Sequence, residues 1–130
     1  MPKVLVIDDE AAVTSSLHRV LRSILPAHWH VLPETDAQTG LALLSFDRDV
    51  QICMVDILMP GMSGVDVIEQ ALKIRPAMRG RIIVTTGFAL TEAEQQHLLV
   101  ELGCEYLEKP YAIDDLEELI WRLIEEKIAE

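Results

Sequence analysis

Five short apolar runs rich in β-branched residues alternate along this chain with five longer stretches of helical periodicity, and few folds accommodate that alternation. Strands are expected near Lys3–Asp8, Trp29–Leu32, Gln51–Val55, Arg81–Thr85 and Glu105–Glu108. Most of these runs are apolar on both faces, as strands covered by helices on both sides must be. Between them, Val13, Leu17, Val20, Leu21 and Ile24 form one helical stripe that Pro26 ends. Ala37, Leu41, Leu43 and Leu44 form a second, and Val65, Ile68 and Leu72 a third that stops before Pro76. Thr91 followed by Glu94 is a capping-box signature for a fourth helix that ends at Gly103. Leu116, Leu119, Ile120, Leu123 and Ile124 mark the fifth. Repeated βα units with short connections give an α/β fold, a doubly wound parallel sheet of five strands, for which the flavodoxin-like order 2-1-3-4-5 is one of two common solutions.

The chain has 130 residues, half of them hydrophobic, enough to fill the core of one compact domain over positions 1–130. Its formal charge of −11, from 22 acidic against 11 basic residues, repels a phosphate backbone and argues against direct nucleic-acid binding. Cys53 lies within an apolar run and Cys104 follows Gly103, without CxxC spacing, which suits two reduced thiols in a cytoplasmic protein. No apolar run approaches the ~20 residues that span a bilayer, and no export signal opens the chain, so a soluble, unexported protein is expected.

The chemistry gathers where the apolar runs stop. Asp8 and Asp9 follow Val4-Leu5-Val6-Ile7, Asp56 follows Ile52-Cys53-Met54-Val55, Thr86 follows Ile82-Ile83-Val84, and Lys109-Pro110 follows Tyr106-Leu107. In a parallel sheet these positions converge on one rim, the usual place for sites in such sheets. Carboxylates brought that close repel one another unless a cation lies between them, and Mg²⁺ takes oxygen ligands of this kind. Phosphoryl transfer needs little beyond positioning and charge neutralisation. Asp9 and Asp56 suit the cation, with Asp8 ordering its waters, while an Asp56 oxygen attacks phosphorus. Lys109 and the Thr86 hydroxyl would contact phosphoryl oxygens, and Gly87 leaves room for the group.

Over essentially its whole length the chain resembles the receiver domains of two-component response regulators. The matching pieces are Asp8-Asp9, Asp56 with Met59-Pro60-Gly61 and Gly64 downstream, Thr86-Gly87, Tyr106 and Lys109-Pro110, in order. The resemblance implies a signalling switch, not an enzyme with its own substrate, phosphorylated on Asp56 by a histidine kinase or phosphotransfer protein. It further implies a Mg²⁺ ligand from the Leu58 backbone carbonyl and a cis bond between Lys109 and Pro110. An output domain or effector would read the switch, in which Thr86 moves toward the phosphoryl group and the Tyr106 ring fills the vacated space. The chain departs from many relatives at Leu58 and Phe88, where polar residues are common; this bears on kinetics.

Taken singly, these residues have blander readings: Asp8-Asp9 as a helix cap, Thr86 as a strand end, Tyr106 as a half-buried core aromatic. Their joint register argues otherwise. His18, His28, His30 and His97 share no ligand spacing with cysteines or carboxylates and suit surface or packing roles. An aspartate-nucleophile phosphatase of the haloacid dehalogenase type would need an acid where Leu58 stands. A flavin carrier would need a hydroxyl- and glycine-rich loop in place of Asp8-Asp9-Glu10, and a degenerate receiver used only for binding would not need the full acidic set. A homodimer through the last two helices is expected from apolar area at Leu90, Leu98, Tyr111 and Ile113. Glu125, Glu126 and Glu130 oppose the dipole of the last helix, so a longer native helix is also expected.

Overall fold

The computed structural model describes residues 1–128. Its elements run β1 (Lys3–Ile7), α1 (Ala11–Ile24), β2 (His30–Glu34), α2 (Ala37–Phe46), β3 (Val50–Asp56), α3 (Gly64–Ile74), a 3₁₀ turn at Pro76–Met78, β4 (Ile82–Thr86), α4 (Glu92–Gln95), β5 (Glu105–Glu108) and α5 (Ile113–Lys127). A π-helical stretch, Gln96–Glu101, prolongs α4. The strands form one parallel sheet in the order β2-β1-β3-β4-β5.

Successive side chains of a strand point to opposite faces, so a sheet covered on both sides needs strands that are apolar throughout. Leu5, Ile7, Cys53, Val55 and Val84 pack with Leu41, Leu44, Val67, Ile68 and Leu98, on the side of α2, α3 and α4. Val4, Val6, Ile52, Met54 and Ile83 face the other way, onto Leu17, Leu21, Leu116, Ile120 and Leu123 of α1 and α5. Each fully buried leucine or isoleucine here contributes roughly 1.5–3 kcal/mol relative to exposure.

Three details differ from the sequence expectation. β2 begins at His30 and runs to Glu34, later than expected, because Trp29 is buried ahead of the strand at 3% exposure. Pro33 lies within β2, tolerable because β2 is an edge strand and that position can lack a ladder donor. The helix opened by Thr91 has the expected capping box and Gly103 follows it with φ of 72°, but α-geometry lasts only through Gln95 before the backbone widens. The apolar patch expected for dimerisation is also reduced. Leu90 and Leu98 are buried at 5% and 0% exposure, leaving Ile113 exposed and Tyr111 only partly so. Lys127 occupies the last turn of α5 and offsets the glutamates there, while Glu130 lies outside the described residues.

Candidate functional site

Register brings the acidic residues together. Ile7 pairs with Val55 across β1 and β3, so the chain leaves both strands side by side at Asp8 and Asp56. Asp8 is fixed by its amide, which donates to the Glu34 carbonyl at 3.1 Å. Lys109 is placed from the far side of the sheet: Thr86 pairs with Glu108, and the Lys109 amide donates to the Thr86 carbonyl at 2.7 Å. The Lys109–Pro110 peptide bond is cis. Gly64 opens α3 tightly against the end of β3, where an added Cβ would stand 2.4 Å from the Asp56 carbonyl oxygen and 2.5 Å from the Ile57 Cα. No other residue type fits there without moving backbone.

Side-chain oxygens of Asp8, Asp9 and Asp56 lie within 4.8 Å of one another, an arrangement able to hold a cation. Asp8 and Asp56 are almost fully buried and Asp9 is exposed, so the cluster opens to solvent on one side. The Lys109 Nζ lies 3.2 Å from Asp8 Oδ2 and 3.7 Å from Asp56 Oδ2. The Leu58 amide donates to Asp56 Oδ1 at 3.2 Å, and the Glu10 amide to Asp8 Oδ1 at 3.0 Å. Burial raises the Asp56 carboxyl above its ordinary value, against the opposing pull of the Leu58 amide and Lys109, while the charges of Asp8 and Asp9 push it further up. Three oxygen donors from carboxylates suit a hard divalent ion.

Thr86 is wholly buried, yet its hydroxyl turns into its own loop: Oγ1 donates to the Phe88 carbonyl at 3.2 Å and accepts from the Phe88 amide at 3.3 Å. To reach a group on Asp56 it must exchange that carbonyl for a new acceptor. Tyr106 pairs with Val84, two residues before Thr86, so Tyr106 and Thr86 share a sheet face. The Tyr106 ring is half-buried and its hydroxyl donates to Glu108 Oε1 at 2.8 Å. A Cβ on Gly87 would meet nothing within 4 Å. Leu58 and Phe88 are exposed by 61% and 44%. Tyr111 was not among the residues legible as site neighbours; burial, and then the Asp8 charge, push its phenol up to about 12. Its position follows from the turn after Pro110, which carries no separate signal in the sequence.

The model of the response regulator receiver domain matches residues 4–121. The chain belongs to that family. Receiver domains are the signalling domains of two-component systems, phosphorylated on an aspartate, with an acidic pocket for Mg²⁺. The transcriptional regulatory protein CpxR of Klebsiella pneumoniae is 31% identical over 113 residues, which make up 85% of this chain and 44% of that protein. The two-component response regulator ORR3 of Oryza sativa is 27% identical over 123 residues, 95% of this chain and 91% of that protein. A protein-glutamate methylesterase/protein-glutamine glutaminase of Caulobacter vibrioides matches at 29% identity, with 30% of its length covered. The chain thus spans under half of CpxR and of the methylesterase. Among solved structures, a response regulator receiver domain protein from Clostridium thermocellum superimposes with a TM-score of 0.83 at 28% identity, covering 98% of both chains. A CheY-like receiver from Methanospirillum hungatei gives 0.83 at 29% identity, covering 98% of this chain and 97% of the other.

Proposed function

We propose that this receiver domain, over positions 1–130, accepts a phosphoryl group on Asp56 and is switched by it. The observation that carries the reading is the cluster of Asp8, Asp9 and Asp56 oxygens with the Lys109 ammonium beside it. An Asp56 oxygen forms the new bond to phosphorus as the bond to the donor's leaving group breaks, and water later cleaves the acyl phosphate. Asp9, Asp56 and the Leu58 backbone carbonyl would hold Mg²⁺, with Asp8 positioning its waters. Bound there, the ion neutralises charge on the phosphoryl oxygens. Lys109 pairs with one of those oxygens and the Thr86 hydroxyl donates to another.

Donation by Thr86 couples the chemistry to the surface. The hydroxyl leaves the Phe88 carbonyl, the loop after β4 rearranges, and the Tyr106 ring moves inward on the shared sheet face. Receiver domains interact with histidine kinases or phosphotransfer proteins and with output domains. For this chain we infer a cytoplasmic location, a sensor histidine kinase or phosphotransfer protein as donor and an output domain or effector as reader. Self-association on the α4–β5–α5 face would rest on Ile113 and Tyr111. Incubation with acetyl phosphate and Mg²⁺ should add one phosphoryl group by intact mass, and chelating the metal should prevent it. Equal incorporation by Asp56→Asn would overturn the assignment.

A further inference from the structure

His97 stands away from the rim, in the stretch where α4 widens from α- to π-geometry. The Leu102 amide reaches back five residues to the His97 carbonyl at 2.9 Å. His97 Nδ1 lies 2.8 Å from Glu101 Oε1 on the same helix, and Nε2 lies 3.8 Å from Glu69 Oε2 on α3. A neutral imidazole has one N–H; only the imidazolium can offer a proton to both carboxylates. Hydrogen bonding to Glu101 raises the His97 pKa above its ordinary value, against the opposing effect of burial, and the charges of Glu69 and Glu101 add to the rise.

A π-turn holds one residue more than the α-turn it replaces, so exchange between the two changes how the following side chains meet α3. α4 thus joins α-geometry through Gln95 to π-geometry over Gln96–Glu101. It begins just after the Thr86–Leu90 loop and ends at Gly103 before β5, between the two residues of the proposed switch. Its far end is held by Arg79, whose guanidinium donates to the Glu101 carbonyl at 2.6 Å and the Val100 carbonyl at 3.4 Å.

We propose that His97 is a proton-operated brace: as imidazolium it ties α4 to α3 through Glu101 and Glu69, and α4 must loosen that tie when Thr86 engages a phosphorylated Asp56. The inference rests on the switch described above. The charged groups at the His97 ring are Glu101 on its own helix and Glu69 on α3; Glu94 lies one turn earlier on α4, Asp66 and Lys73 lie one turn either side of Glu69 on α3, and Arg79, just after the 3₁₀ turn, holds the helix end. Because the folded-state pKa is raised, the tie is complete below about 6.5, the ordinary histidine value, and is lost as pH rises through the folded value. Acid then opposes the switch and mild alkali releases it.

The test follows the His97 ring by NMR across pH in saturating Mg²⁺, with and without beryllofluoride, which stands in for the phosphoryl group, in the wild type and in Glu69→Gln. An exposed ion pair of this kind shifts an equilibrium by about 1.5- to 5-fold, so beryllofluoride should lower the His97 pKa by about 0.2–0.7 in the wild type. By reciprocity it should bind weaker by the same factor below that pKa, relative to above it, than in Glu69→Gln, where the fall should shrink toward zero. An added anion acting only through space would raise the pKa, so the sign separates the two causes. Bound beryllofluoride, seen by its fluorine signal, with an unchanged or raised His97 pKa overturns the brace and leaves the phosphoacceptor reading standing. Failure of beryllofluoride to bind overturns both.

Discussion

Leu58 and Phe88 each sit two residues beyond a residue of the proposed chemistry, Asp56 and Thr86, and both expose much of their side chains. Neither can hold or orient a water by hydrogen bonding. An acyl phosphate on Asp56 would be shielded by apolar groups where polar ones could align the attacking water. Spontaneous loss of the phosphoryl group should accordingly be slow, and replacing Leu58 by Asn together with Phe88 by Glu should quicken it by about tenfold or more, within the span of general-base effects. Decay of the phosphorylated protein, followed by intact mass after removal of the donor, measures this; equal half-lives remove the argument. These positions were legible in the sequence because they are counted from motif residues. Gly64 was legible only as part of the motif, and the reason for it, a Cβ 2.4 Å from the Asp56 carbonyl oxygen, belongs to the packing of α3 on β3.

At the scale of elements, the proposed switch runs outward through β4, α4 and β5. Thr86 ends β4 with its hydroxyl held by Phe88, and Tyr106 lies in the neighbouring strand on the same sheet face. A phosphoryl group shifts this arrangement only through contacts that differ between its states, and in the proposed switch the Thr86 hydroxyl is such a contact. Amide exchange with and without beryllofluoride should therefore change from Thr86 through Tyr111 as well as around Asp56. Thr86→Ala should keep the change around Asp56 and lose the rest. Changes confined to the Asp56 loops in the wild type would uncouple the switch from the chemistry. The capping box at Thr91 and Glu94 was readable from residue spacing, since both hydrogen bonds are local. The π-stretch was not, because Gln96–Glu101 has ordinary helical composition, and the contacts it makes, Leu98 in the core and Arg79 on the helix end, come from elsewhere in the fold.

At the scale of the molecule, an acidic chain concentrates buried carboxylates at one point, and the fold bears that strain. The raised Asp56 pKa means that the folded state binds this proton more tightly than the unfolded chain. The charged form is thus destabilising at neutral pH, and the penalty fades as pH falls through the folded value toward about 3.9, the ordinary aspartate value. Asp56→Asn should raise the urea midpoint at pH 7 in the absence of divalent ions, and the gap should narrow under acid. Mg²⁺ at ten times its dissociation constant should add about 1.4 kcal/mol to the wild type and much less to the variant. A wild type more stable than Asp56→Asn in chelator would show that Lys109 already outweighs the repulsion.

What the sequence alone determined was the class of fold and the membership of the rim, because both follow from short-range pattern. Apolar runs of strand length between helical stripes admit a parallel sheet covered on both faces, and each run's last residues lie at its carboxyl edge. Tertiary structure decided what depends on residues far apart in the chain. It pushed β2 past the buried Trp29, withdrew Leu90 and Leu98 into the core, turned the Thr86 hydroxyl toward Phe88, and set His97 between Glu101 and Glu69. Each of these is a competition between a side chain's local options and the space or charge supplied by another element, and that supply exists only once the sheet and its helices have assembled.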